Sequence, residues 1–316
     1  MRACSTEPPA PADAPDLSVV LCTHDPRAAF LARTLDHLRA QTLPVSRWEL
    51  LVVDNASRPP VTTDMLAWHP RGRVVREEKL GLVWARGCGA NAARGTVLVF
   101  VDDDNLLAPD YLATVETLFA AHPGLGCAGA RIEPEFESRA PGWLARWRNY
   151  LALRDFGDTE IVRDELNWGP WCPIGAGMAV RRPLFLEHWS DVLADTERQR
   201  LGRRGRGLAS AEDADLVFGI LRRGHQTGYF PQLGLRHLIP RERLAFAYVC
   251  RLVHHVCRSN VVVRRANRVR PLSSLAWRRA LTEIFSPRIR GPLNRLASWL
   301  IVLAGIAGEA RGYLRS

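Results

Sequence analysis

Short apolar runs alternate with amphipathic stretches through the first 130 residues. Residues 17–22 form a short run that is apolar apart from Ser18, the pattern of a buried strand. Residues 28–41 place Leu31, Leu35 and Leu38 on one face of a helix. Further buried strands are predicted at 48–53, 73–76 and 96–101. A helix is predicted at 81–94, despite Gly87 and Gly89, and another is opened by Pro109 at its first position. A strand at 127–132 completes the run. This alternation predicts an α/β domain built on a Rossmann-like, mostly parallel sheet flanked by helices.

The pattern then loosens. Residues 133–174 are loop-rich and hold Trp143, Trp147, Trp168 and Trp171. Regular structure is expected again at 175–181, 183–189, 212–223 and 229–237, and residues 199–207 read as a mobile Arg/Gly-rich loop. From Arg241 the chain reads as helical, with a basic linker at 264–270 and an amphipathic stretch at 273–285. Residues 296–308 are apolar apart from Ser298 and flanked by arginines, but fall short of the ~20 residues that cross a bilayer. A packed core helix and an interfacial membrane helix are both open readings there. The expected organisation is a disordered segment at 1–16, a catalytic domain at 17–240 and a C-terminal helical extension at 241–316.

Composition narrows the function classes. The formal net charge is +10, and the only lysine is Lys79. The charge is spread too evenly to single out nucleic acid, and no nucleic-acid partner is expected. Seven cysteines, an odd number without a close pair, lie mostly in apolar runs. With no signal-peptide pattern at the N-terminus, they point to a reducing, cytoplasmic location, which includes the inner face of the cytoplasmic membrane. Cys250, His254 and Cys257 share a helix face but lack a fourth ligand, and a packed face is the expectation there.

Three polar clusters stand at predicted strand ends: Thr23-His24-Asp25, Asp54-Asn55 and Asp102-Asp103-Asp104-Asn105. Open α/β sheets bind ligands beyond the carboxyl ends of their strands. Three adjacent acids repel unless a cation is shared, and a hard divalent ion takes carboxylate oxygens. Strand alternation would turn Asp102 and Asp104 to the same side. A solvated turn is the plainer alternative.

The segment Gly81-Leu-Val-Trp-Ala-Arg-Gly-Cys-Gly-Ala-Asn-Ala-Ala-Arg-Gly95, followed by Phe100-Val-Asp-Asp-Asp104, resembles the central signature of glycosyltransferase family 2, the nucleotide-sugar-dependent enzymes of the GT-A fold. Val19-Val-Leu-Cys-Thr-His24, Leu51-Val-Val-Asp-Asn-Ala-Ser57, Gly175-Ala-Gly-Met-Ala-Val-Arg181 and Ala211-Glu-Asp-Ala-Asp-Leu216 resemble other family motifs in the same order. The resemblance implies that Thr23 and Asp54 contact the nucleoside and that Arg86 lies over base or diphosphate. It implies that Asp102 and Asp103 help hold ribose and metal, that Asp104 ligates Mn²⁺ or Mg²⁺, and that His237 assists. Asp213 would be the catalytic base; a helix cap formed with Ser210 is the alternative reading of that motif.

The implied activity is a single inverting sugar transfer from a nucleotide-sugar, a UDP-sugar, to an acceptor hydroxyl. The QxxRW motif of processive synthases is missing, and Gly87 stands where many relatives carry Asn. The acceptor would be a lipid-linked glycan or a small metabolite, with peripheral membrane contact through the C-terminal helices. Trp168 and Trp171 would be either an acceptor platform or core. Two alternatives are a nucleotidyltransferase making a nucleotide sugar, although residues 21–27 lack its Gly-rich basic loop, and a non-catalytic membrane-surface protein of the same fold.

Overall fold

The computed structural model describes residues 15–205, 207–269 and 292–314. Nearly all of the expected N-terminal lead-in, and the amphipathic stretch at 273–285, lie outside the described residues. The strands are β1 (Leu17–Thr23), β2 (Trp48–Asn55), β3 (Gly72–Glu77), β4 (Val97–Asp102), β5 (Asn105–Leu107), β6 (Leu125–Phe136), β7 (Ile161–Arg163), β8 (Ala179–Arg181) and β9 (Gln226–Ile239). The helices are α1 (Ala28–Arg39), α2 (Leu82–Ala92), α3 (Tyr111–Ala121), α4 (Arg182–Ala194), α5 (Glu212–Arg222), α6 (Phe246–Ala266) and α7 (Pro292–Leu314).

The strands form one sheet in the order β3-β2-β1-β4-β8-β6-β9-β5, with β7 also paired to β9. The β3, β2, β1 and β4 ladders are parallel, as is β6 with β9. The short ladders of β8 with β4 and β6, and of β5 and β7 with β9, are antiparallel. The sheet is therefore mixed, although the long ladders are the parallel ones. Every residue of β1 and β2 is buried, as expected of central strands covered on both faces.

One face of the sheet packs against α1 and α3 through Leu31, Leu35, Leu38, Leu112 and Val115. The other is covered by α2, α4 and α5 through Ala85, Phe185 and Val217. Helix α2 lies so close to the sheet that a Cβ on Gly89 would stand 2.3 Å from Val20 Cγ1. That contact explains a glycine inside a helix where propensity alone disfavours it by about 1 kcal/mol.

The C-terminal helices are not a separate body. Val249, Leu252 and Val253 of α6, and Ile301 and Val302 of α7, share the core that holds β1 and α1. The packed reading of Cys250, His254 and Cys257 agrees with the contacts of that face: His254 Nδ1 bonds Ala304 O at 3.1 Å, and Gly308 sits against the His254 backbone. Residues 264–266, expected in a linker, are the last turn of α6. A buried polar knot secures this end. Arg198 Nη1 donates to both oxygens of Asp215 at 2.9 Å, and Asn267 Nδ2 donates to Asp215 Oδ1 at 2.6 Å.

Candidate active site

A cavity of about 980 Å³ opens beyond the carboxyl ends of β1, β2 and β4. Asp102 is the last residue of β4, and the chain turns through Asp103 and Asp104 before β5 begins at Asn105. Strand alternation thus stops at Asp102, and the three carboxylates diverge rather than pairing as expected. Asp102 Oδ1 faces Arg86 Nη2 at 3.6 Å. Asp103 accepts a hydrogen bond from the Thr23 hydroxyl. Asp104 Oδ2 meets His237 Nε2 at 3.3 Å and Arg243 Nη1 at 3.2 Å. The β5–β9 register sets Asn105 opposite His237, which brings that histidine to the acids from 130 residues downstream.

The electrostatics follow the partners. Burial raises the Asp102 carboxyl, and Arg86 pulls it back only in part. Burial, with the Asp104 charge added, pushes Asp103 up to about 7. Burial also acts upward on Asp104, but His237 and Arg243 outweigh it and hold that carboxyl at about 2. The cluster therefore settles its own repulsion by keeping one acid charged and disfavouring charge on the other two.

Across the cavity, Ala211 opens α5 with a φ of +87°, a backbone conformation an alanine rarely adopts. The two acids that follow both line the cavity. Arg86 Nη1 donates to Glu212 Oε1 at 3.0 Å, so this buried guanidinium bridges Glu212 and Asp102. Burial, then the adjacent Asp213 charge, push Glu212 up to about 7 against the pull of Arg86. Asp213 Oδ2 accepts from Gly175 N at 3.2 Å and Oδ1 from Ala214 N at 2.7 Å. The Ser210 cap is not formed: Ala211 is the capping residue, and no side chain caps the helix.

Thr23, Arg86, Asp102, Asp103, Asp104, Asp213 and His237 thus surround one cavity. Asp54 does not. Its carboxylate is fully buried in the turn after β2, accepting from Ser57 N, Val61 N and Arg76 Nη1 at 3.0, 3.0 and 2.5 Å. These partners leave it no free face, and Asn55 and His24 line the wall instead. Trp168 lines the cavity, whereas Trp171 packs beneath it. Sequence reasoning missed Arg243 and gave Glu212 no role. Glu212 was findable as the neighbour of Asp213, but nothing local marks Arg243, which reaches Asp104 through the turn after Pro240.

The donor chemistry of Asp104 and His237, a carboxylate beside an imidazole, fits a hard divalent cation. His237 Nδ1 is buried without a partner, so its Nε2 carries the interactions of the ring. The third expected ligand, Asp102, is turned to Arg86 instead. Among the described residues no three His, Cys, Asp or Glu side chains form a ready metal-binding group.

Comparisons with known proteins agree with this layout. The family model for glycosyl transferase family 2 matches residues 18–189, a stretch that includes Thr23, Arg86 and Asp102–Asp104 but ends before Asp213 and His237. The validoxylamine A glucosyltransferase of Streptomyces hygroscopicus is 36% identical over 131 residues, 38% of this chain and 30% of that protein. The glucosyl-dolichyl phosphate glucuronosyltransferase of Haloferax volcanii is 24% identical over 242 residues, 74% of this chain and 72% of that one. The crystal structure of GalNAc-T7 with UDP, GalNAc and Mn²⁺ superposes with a TM-score of 0.52 at 16% identity, covering 84% of this chain and 54% of that chain. That likeness establishes the GT-A fold. The chain spans under a third of the relatives it matches at the higher identities. A family model that accounts for more than half of the sequence, on a sheet of this fold with the acids at the end of β4, settles the relationship: the chain belongs to glycosyl transferase family 2.

Proposed function

We propose that this chain transfers a single sugar from a UDP-sugar to an acceptor hydroxyl with inversion at the anomeric carbon. The observation that carries the reading is the convergence in one cavity of the acids ending β4, the bridging Arg86 and, from α5, Asp213. A single displacement needs one base near the acceptor, and Asp213 has that character. Two backbone N–H groups fix its carboxylate at the cavity wall. As the acceptor hydroxyl attacks, Asp213 takes its proton. Thr23, His24 and Asn55 form the wall for the nucleoside, and Arg86 supplies positive charge toward the diphosphate.

Asp104 and His237 would hold Mn²⁺ or Mg²⁺, with Asp102 as a further oxygen donor. A bound cation would stabilise the charge that builds on the leaving diphosphate. Arg243, already against Asp104, sets a second positive group at the same place.

The acceptor is a lipid-linked glycan or a small metabolite, met with the enzyme in the cytoplasm. A membrane-surface setting is favoured by α7: Leu296, Trp299, Leu300 and Leu303, spaced along one side of it, are 54%, 44%, 38% and 39% exposed. Among the described residues no helix is long and apolar enough to cross a membrane.

Calorimetric titration of UDP, dTDP and GDP, each with Mn²⁺ and with EDTA, tests the reading. Mn²⁺-dependent binding of UDP is expected. Failure of all three nucleotides to bind would overturn it. Sedimentation with phosphatidylglycerol vesicles tests the membrane setting, with Trp299→Ser/Leu303→Ser expected to release the protein; equal sedimentation of both proteins would remove that role from α7.

A further inference from the structure

The arginines lining the cavity fall into two kinds. Arg86 and Arg243 are set against Asp102, Glu212 and Asp104. Arg154, Arg203 and Arg251 line the same cavity, and among the described residues none of them has a carboxylate within ion-pair distance. Arg154 is the most telling. It stands between β6 and β7, where its backbone exchanges hydrogen bonds with Ile132 at 2.7 and 3.1 Å. Its Nη1 donates to the carbonyls of Asn149 and Leu153, both at 2.9 Å, and its Nε is buried with no partner. Arg154 is partly buried as a residue, but a buried donor left unmet on a guanidinium with no carboxylate in ion-pair contact among the described residues is costly. An anionic ligand would remove that cost.

The rim repeats the pattern. Arg203 comes from the loop before α5, and the exposed Arg251 comes from α6. His255 of α6 reports their field: burial lowers its pKa, and His254, Arg258, Arg203 and Arg251 lower it further. Asp104 is met by His237 and Arg243, and Asp102 by Arg86. On the transferase reading the leaving diphosphate is served by Arg86 and Arg243 beside those acids, which leaves the second group of arginines to the acceptor.

We propose that Arg154, with Arg251 and Arg203 at the rim, forms a subsite for an anionic group, a phosphate or a carboxylate, carried by the acceptor. The inference rests on the transferase reading given above. A guanidinium presents paired donors suited to either oxyanion. Trp168 and Tyr150, which also line the cavity, offer aromatic faces for a sugar ring beside it.

The test titrates glucose 6-phosphate, glucuronate and glucose into the full chain saturated with UDP and Mn²⁺, so that the nucleotide site is closed to them. At least one acid is expected to bind about tenfold tighter than glucose, and the tighter of the two identifies phosphate or carboxylate. Arg154→Gln is expected to lower that affinity about tenfold and Arg154→Lys by less, with UDP affinity unchanged. Should Arg154→Gln fail to fold, the double variant Arg203→Gln/Arg251→Gln serves the same comparison and is expected to weaken the acid selectively. Equal affinities for acid and neutral sugar, no binding of either acid, or an acid affinity unmoved in the folded variants would overturn the subsite. Failure of UDP, dTDP and GDP alike to bind would instead sink the transferase reading. The acids would then be titrated into the unliganded chain, where the same contrasts decide.

Discussion

The guanidinium of Arg86 occupies the space that a side chain on residue 175 would need: a Cβ built on Gly175 would stand 2.1 Å from Arg86 Nη2. Gly175 also donates its N–H to Asp213, so one residue seats both the bridging cation and the proposed base. Gly175→Ala is therefore expected to displace Arg86 from Glu212 and Asp102 and to weaken UDP binding about tenfold, the loss of one charge-assisted contact. Calorimetry reads this directly. An unchanged affinity would mean that Arg86 does not serve the donor.

Asp213→Asn keeps the size but can accept only one of the two backbone N–H groups, and it removes the basic oxygen. UDP affinity is expected to stay as in the parent while turnover falls by about 10²–10⁴, the usual contribution of a general base. Binding and single-turnover rates measured on the same preparation separate the two. Substantial residual turnover would move the proton to another group.

The raised acids make stability fall with pH. Burial, then Asp213, place Glu212 at about 7, above its ordinary value, so the folded state binds the extra proton between roughly 4.5 and 7. Unfolding then releases that proton, and stability declines as pH rises through this window. The penalty is absent below it and complete above it. Glu212→Gln is expected to gain on the parent by about 1–3 kcal/mol between pH 4.5 and 8, an order-of-magnitude figure. Urea unfolding at the two pH values checks the sign. A parent-to-variant difference independent of pH would mean that Glu212 ionises freely in the folded chain.

Asp215 tests how far the C-terminal helices belong to the core. It is 1% exposed and receives Arg198 and Asn267. Asp215→Ala leaves the buried Arg198 with only its longer contact to Asp195 and a backbone carbonyl, and a loss of about 3 kcal/mol is expected. A denaturant midpoint within error of the parent would show that the knot is not holding these elements together.

The fold was legible where hydrophobic period and element length agreed. The runs at 17–22, apolar apart from Ser18, and at 97–101 form central strands because such apolar sequence is tolerated only where both faces are covered. The three-residue strands β5 and β7 gave no such signal, being too short to show a period. The cluster at Asp102–Asp104 was legible as a site, but its geometry was not. Alternation predicted Asp102 and Asp104 side by side, whereas the turn after Asp102 sends them to different partners. Asp54 illustrates the opposite limit: an acid at a strand end suits both a ligand and a turn, and here three donors in its own neighbourhood claim it. Arg154 and Arg243 act through placements that only the assembled chain creates.

The strand order has a further consequence for how the molecule is made. β1 to β4 lie side by side in the parallel half of the sheet, and all of their residues fall within 17–102. A ribosome releases this half first. The residues that answer its acid cluster, His237 and Arg243, leave the tunnel more than 130 residues after Asp104. A nascent chain thus carries three adjacent carboxylates with no counter-charge from β9, and these keep the mouth of the half-sheet hydrated until the last strand arrives. Asp104 gains its His237 and Arg243 partners only when β9 and the turn after it are in place, so the site is complete only with the finished fold.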